Sequence, residues 1–382
     1  MAKLSVNDLE VEGRLVLVRV DYNVPLDGAR ITDDARIQAT LPTLRLLIAR
    51  GARLVLCAHL GRPKGKVDLR YTLRPVAEHL ERLLDGNVGF APQTVGPLAE
   101  EMAARLAPGG VVLLENLRFQ PGEESNDPAF SRQLAALGDV YVDDAFGAAH
   151  RAHASTVGVT ALMPQAAAGL LMERELDYLG RVLHGADRPF VVILGGAKIS
   201  DKLPLIAHLV QRADHLLIGG AMAYTFLKAQ GKSIGASLLQ ADFVDAANKL
   251  LRDSGARILL PTDHVLEDGR VVQDIPDGAK AFDIGPATRG AFARVIASAR
   301  MVFWNGPMGM FEKPPFDEGT LAVARAVAAS PGLTVAGGGD SVAALHAAGL
   351  ADRLSHVSTG GGASLEFLSG DTLPGVAALT EK

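Results

Sequence analysis

Residues 191–210 read VVILGGAKISDKLPLIAHLV. An apolar run too short for a helix, with no polar alternation, meets two glycines and then an amphipathic segment. That pattern predicts a strand buried on both faces, a tight turn and a helix. The grammar returns in HLLIGGAMAYTFLKA (215–229), LTVAGGGDSVAALHAA (333–348) and HVSTGGGASLEFL (356–368). Working outward, ARILLPTD (256–263) and MVFWNGP (301–307) read as further buried strands, as do RLVLVRV (14–20), ARLVLCA (52–58), GGVVLLE (109–115) and DVYVDDA (139–145) in the first half. Helical periodicity lies between them, as in DDARIQATLPTLRLLIARG (33–51), with Thr32, Asp33 and Asp34 as candidate caps and Gly51 as its stop. Alternating apolar strands and helices predict an α/β fold of parallel sheets with helices on both faces, that is, doubly wound domains.

The chain has 382 residues, above the size at which one hydrophobic core stops growing, so two domains are expected. The helix and Gly/Asp/Pro punctuation in GLLMERELDYLGRVLHGADRP (169–189) place the connector at 171–188, between domains at 1–170 and 189–365. Hydrophobic residues make up 48% and charged ones 21%, an ordinary globular balance. A net charge of −5 and a pI near 6.1 argue against nucleic acid or an anionic membrane as a partner. Cys57 is the only cysteine, which excludes an intrachain disulfide and a cysteine-based zinc site. No signal segment or apolar run of membrane-spanning length occurs, so a cytoplasmic protein is expected.

In open parallel sheets ligands sit beyond the carboxyl ends of the strands. The second-half strands end mainly in glycines, which let phosphate approach unpaired helix N–H groups. Several such ends in one sheet predict a nucleotide crevice. Other phosphate motifs are absent: Phe226 stands where a P-loop ending at Gly231–Lys232 needs glycine, and no GxGxxG follows a strand, which weakens a dehydrogenase reading. Lys198 and Lys202, four apart at the expected helix start, are predicted to face one anion. Asp340 fits either an N-cap or a carboxylate answering Mg²⁺ on phosphates. The first-half strand ends differ. Arg36, His59, Arg62, Arg118, His150, Arg151 and His153 follow four strands, and if those strands are neighbours they form a pocket for a small, multiply anionic substrate. His150 and His153 lack zincin spacing, and no GxSxG elbow is present.

RVDYNVP, HLGRP, ENLRF, AHRAH, GGAKISDK, WNGPMGMFE, GGGDS and VSTGGGAS, in this order, resemble the phosphoglycerate kinase family over essentially the whole chain. The resemblance implies two doubly wound domains separated by a cleft and joined by a hinge helix, with the tail 366–382 returning to the first domain. It implies a monomer in glycolysis whose cofactor is Mg²⁺ carried as MgADP or MgATP. The reaction would be direct in-line phosphoryl transfer from 1,3-bisphosphoglycerate to ADP after domain closure, giving 3-phosphoglycerate and ATP. Substrate contacts would fall on Asp21, Tyr22, Asn23, Arg36, His59, Leu60, Gly61, Arg62, Arg118 and Arg151, with His150 in support. Nucleotide contacts would fall on Lys202, Glu312 at the ribose, Gly338, Gly339, Asp340 at the magnesium and Ser341, lined further by Lys198, Gly219, Gly220, Gly285 and Asn305. Arg36, Lys202 and the amides of Gly360, Gly361 and Gly362 would stabilise the transferring group. The family's third glycine is Ala221 here, and FEKPPF (311–316) carries no assigned chemistry. The alternative is a non-catalytic nucleotide- or sugar-phosphate-binding protein on the same fold.

Overall fold

The computed structural model describes residues 3–86, 88–185 and 187–382. The chain divides into two compact units, Met1–Leu176 with Thr372–Lys382, and Asp177–Asp371. The first border falls inside the helix Leu170–His184 and the second six residues after position 365, where the sequence reading ended the second domain.

Unit 1 holds β1 (Leu15–Val20), the hairpin β2 (Leu26–Asp27) and β3 (Arg30–Ile31), β4 (Arg53–Cys57), β5 (Val88–Ala91), β6 (Val111–Leu114), β7 (Val140–Asp144) and β8 (Ala166–Ala168). Its six-stranded sheet is parallel throughout, in the order β5-β6-β4-β1-β7-β8. β6 and β7 are buried at every position, which is why β6 reads as an unbroken apolar run, VVLL, while β7 ends on the buried Asp143 and Asp144. The helix Ala35–Ala49 packs Ile37, Leu41, Leu44 and Leu47 into the same core. Its entry is tied by the Ala35 N–H donating to Asp33 Oδ1 at 2.9 Å, whereas Asp34 takes the N-cap place without capping and pairs with His79 at 2.8 Å. Gly51, at φ +72°, ends it as expected.

Unit 2 holds β9 (Phe190–Leu194), β10 (His215–Ile218), β11 (Ile258–Leu259), β12 (His264–Leu266), β13 (Val271–Val272), β14 (Ala281–Ile284), β15 (Met301–Asn305), β16 (Leu333–Gly337) and β17 (His356–Val357). The main sheet is again parallel, in the order β11-β10-β9-β15-β16-β17. Numbered by chain order its strands run 3-2-1-4-5-6, so the topological switch, where ligands sit, lies between β9 and β15. A small antiparallel sheet β13-β12-β14 stands beside it. At the switch the two strand ends nearly touch: a Cβ on Gly306, at φ +98°, would lie 2.3 Å from the Gly195 carbonyl oxygen, so only glycine fits. No helix among the described residues is long and apolar enough to cross a membrane.

Candidate functional site

In unit 1 the carboxyl ends of β1, β4 and β6 are neighbours, and two asparagines lace their loops together. Asn23 Oδ1 accepts the Gly61 N–H at 2.9 Å. Asn116 Oδ1 accepts from Leu60 N (3.2 Å) and Arg118 N (3.0 Å), while its Nδ2 donates to Leu60 O (2.7 Å) and Tyr71 O (2.8 Å). Held by this lacing, Arg118 is buried and donates to Gly61 O at 2.7 Å. Arg36, on the first turn of its helix, donates through Nη1 to both oxygens of Asp21 at 3.1 and 2.9 Å. Its Nη2 and Nε have no hydrogen bond among the described residues, so a charged fork remains for a ligand. Burial, then the fields of Arg19, Arg118 and Arg36, hold His59 well below the ordinary imidazole range, so it is neutral at pH 7. Arg151 lies close enough to oppose the charge of Arg118 and donates to His150 Nε2 at 3.1 Å. The structure thus gathers Asp21, Arg36, His59, Arg118, His150 and Arg151, with Gly61 and an exposed Arg62 on the adjoining loop.

Two of the expected contact residues have side chains turned into the core. Tyr22 is fully buried, its ring in the apolar core and its hydroxyl paired with Thr40 Oγ1 at 3.1 Å, so it supports the loop from below. Leu60 likewise packs into that core, and both its backbone groups are taken by Asn116.

In unit 2 the glycine-bearing strand ends open two cavities that share Asp340. One, of about 280 Å³, is lined by Lys202, Asn305, Gly306, Gly338, Gly339, Asp340, Ser341, Gly361 and Gly362 with Leu365. The helices Gly339–Ala347 and Gly362–Leu368 begin at its wall, with first-turn N–H groups that have no partner inside the helix. Asn305, buried, accepts a hydrogen bond from Lys202 Nζ and donates to Gly337 O at 2.8 Å, which fixes the ammonium over the cavity. Burial pushes Lys202 down to about 8, against the pull of Asp340 and Asp201. The other cavity, of about 510 Å³, has mostly apolar walls from Ala221, Tyr224, Leu238, Phe282, Pro307 and Met310, with Gly220 and Glu312 at its lining. An anion-binding space beside a mostly apolar one suits polyphosphate and a heterocyclic base.

Several expected nucleotide contacts are placed differently. Lys198 is exposed in a loop and shares no helix face with Lys202, because the helix begins only at Leu203, with Pro204 in its first turn and Lys202 as N-cap. A Cβ on Gly219 would lie 2.4 Å from Met308 Sδ and one on Gly285 2.3 Å from the Asp263 carboxylate, so both are packing glycines outside the two linings. Gly360 is buried with its N–H bonded to Ser358 Oγ at 3.2 Å, which leaves Gly361 and Gly362 to face the cavity. The Ser341 side chain turns inward and its oxygen accepts the Gly306 N–H at 2.5 Å, so its own N–H is what the cavity meets. Asp340 is not the cap: Gly338 is, and the Asp340 carboxylate is exposed. Among the described residues no group of three or more His, Cys, Asp or Glu could hold a metal by itself. Mg²⁺ on phosphates needs only one or two protein carboxylates, and Asp340 at the phosphate-sized cavity fits that demand.

The supporting residues Arg19, Asn116, Glu123 and Ser155 escaped the sequence reading. Each is a buried polar residue; Arg19 and Asn116 stand in or just after apolar strands, whereas Glu123 and Ser155 carry no local signal.

A family profile described as Phosphoglycerate kinase matches residues 6–371. The chain is similar to the phosphoglycerate kinase of Solibacter usitatus, 57% identical over 99% of this chain and 100% of that one. It is also similar to that of Moorella thermoacetica, 55% identical over the full length of both. The solved structure of phosphoglycerate kinase from Coxiella burnetii superimposes with a TM-score of 0.91 at 38% identity, over 98% of each chain. Agreement of this extent covers both sheets and the loops at their carboxyl ends, and the chain belongs to the phosphoglycerate kinase family.

Proposed function

We propose that this protein is a phosphotransferase that moves the acyl phosphate of 1,3-bisphosphoglycerate to ADP and forms 3-phosphoglycerate and ATP, reversibly. One observation carries the reading beyond family membership: unit 1 presents an arginine and histidine cluster at its strand ends, and unit 2 presents a mostly apolar cavity of about 510 Å³ beside a lysine-bearing one that shares Asp340. Each unit therefore suits one of the two substrates.

In the forward direction an oxygen of the ADP β-phosphate forms a bond to phosphorus as the bond from phosphorus to the carboxyl oxygen breaks. The leaving group departs as a carboxylate, so no general base is needed, and the neutral His59 serves as a hydrogen-bond donor. The protein supplies position and charge. Arg36, braced by Asp21, directs its free guanidinium edge to the phosphoryl group from the acid side. Lys202, held by Asn305, answers it from the nucleotide side together with the Gly361 and Gly362 amides. Asp340 would hold the Mg²⁺ carried by the nucleotide, which would supply screening of the phosphate charge, and Glu312 would meet the ribose. A non-catalytic binder would need only one of these two sets of residues.

Direct transfer requires both substrates within bonding reach and away from water. Small-angle scattering with 3-phosphoglycerate and MgATP together should show a smaller radius of gyration than either ligand alone, and an unchanged radius at saturation counts against closure. The decisive test is ATP formation from 1,3-bisphosphoglycerate, MgADP and the purified chain in a coupled assay. Turnover at background would reject the enzyme reading.

A further inference from the structure

We infer that Arg19 is a positioning residue that locks His59 into the tautomer with its proton on Nε2, so that the site offers the phosphoglycerate anion an uncharged N–H donor. The inference rests on the proposed substrate of unit 1 and concerns a residue outside its assigned contacts.

Four buried side chains form a chain of hydrogen bonds whose direction is fixed at every link. Glu123, on the short helix Pro121–Glu124, is fully buried and accepts from Ser155 Oγ at 2.6 Å and Ser155 N at 3.0 Å. With its proton given to Glu123, the Ser155 oxygen accepts from Arg19 Nε at 2.9 Å. Arg19 is 1% exposed, lies on β1, and directs Nη1 to the Val20 carbonyl at 2.5 Å and Nη2 to His59 Nδ1 at 3.0 Å. A guanidinium has five donors and no acceptor and is not deprotonated in proteins. His59 Nδ1 must therefore offer its lone pair, and the proton of the neutral ring sits on Nε2.

The surroundings oppose a second proton. Arg19, Arg118, Arg36 and His153 all raise the cost of an imidazolium, and burial adds to them. Glu123 is the balancing anion, with burial raising its pKa and Arg19 and the Ser155 bonds lowering it. It also sits 3.8 Å from His153 Nδ1. No hydrogen bond to His59 Nε2 is found among the described residues, so this N–H is the group left for a ligand. A neutral donor is useful beside several guanidinium groups: it adds a directed hydrogen bond without a further desolvated charge.

The test is ¹⁵N NMR of the imidazole rings in the full-length, ligand-free protein at pH 7, with His59 assigned by its loss in His59→Gln. The expected spectrum shows a protonated Nε2 and a bare Nδ1; an Nδ1–H ring or an imidazolium overturns the inference without any kinetic measurement. Arg19→Gln replaces an obligatory donor by an amide that also accepts, and should mix the tautomers. It should raise KM for 3-phosphoglycerate about tenfold while KM for ADP stays put. Arg19→Lys, again donor-only, should restore the Nε2–H form. If Arg19→Gln raises that KM with the tautomer unmoved, Arg19 does not act through His59. If Arg19→Gln does not fold, the wild-type spectrum and Arg19→Lys remain decisive. Because the tautomer is read in free protein, its failure is distinct from failure of the substrate assignment, which the coupled assay reports.

Discussion

The two sheets share parallel strands and doubly wound order, but their proposed anion sites are built by different means. Unit 1 uses long charged side chains, each braced by a buried polar partner: Asp21 under Arg36, Asn116 under the Arg118 loop, and Arg19 with Ser155 behind His59. Unit 2 uses backbone amides, one lysine and closely apposed glycines. Side chains read a ligand's shape through fixed geometry and need a supporting layer. Amides at helix starts need only an approach path, which glycine provides. Mutations should therefore act locally and sharply in unit 1, and in unit 2 through backbone conformation.

The largest expected effect is Arg36→Ala, which should lower kcat by about 10²–10³-fold, the usual cost of a donor aimed at developing charge, and leave ADP affinity unchanged. A defect confined to ADP binding would erase the division between units. Next comes a pair inside one glycine run. Gly338 has φ +91°, and an added Cβ would lie 2.7 Å from Asn305 Nδ2, the residue that holds Lys202; Gly339 has nothing within 4 Å. Gly338→Ala should destabilise by about 1–3 kcal/mol in denaturant melts and impair turnover. Gly339→Ala should be close to neutral in stability, and equal effects would show that backbone conformation is not what matters.

Lys202 supplies a pH test. Its folded pKa of about 8 lies below the ordinary lysine value of 10.5, so the ligand-free fold binds fewer protons than the unfolded chain between those values. Its burial therefore costs stability below pH 8, and that cost fades as pH rises from 8 to 10.5. Phosphate binding favours the ammonium, so ADP affinity should fall as pH rises past about 8, and Lys202→Met should flatten that fall in calorimetric titrations. The smallest effect belongs to Tyr22→Phe. Loss of its bond to Thr40 should cost about 1 kcal/mol of stability with KM for 3-phosphoglycerate unmoved. A raised KM would return Tyr22 to the substrate site.

All ten strands expected from apolar runs are present, because a strand buried on both faces writes itself as Val, Leu and Ile. The missed strands had no such signature. VGFA (88–91) and AAA (166–168) are sheet edges formed by pairing with β6 and β7, and β12–β14 are short antiparallel pieces beside the main sheet. In the site, the charged residues and glycines were legible because strand-end position gives them meaning. Lys198 was misjudged because periodicity runs through a loop that Pro204 keeps out of the helix. Asn116, Ser155 and Glu123 were invisible because their role depends on partners far away in sequence, such as Leu60 for Asn116 and Arg19 for Ser155.

β8 stands at the open side of the unit 1 sheet, and both ends of the chain attend to it. Leu4 O accepts from Ala168 N at 2.8 Å, and Thr380 donates its N–H to Ala166 O at 2.9 Å. On a ribosome this edge waits for Thr380, which is made more than two hundred residues after β8. All of residues 177–371 is synthesised before Thr380 emerges, so unit 2 can fold while β8 still lacks that cover. An exposed strand edge invites pairing with other chains, and a nascent protein stalled after Asp371 should be more prone to aggregate than one extended past Thr380.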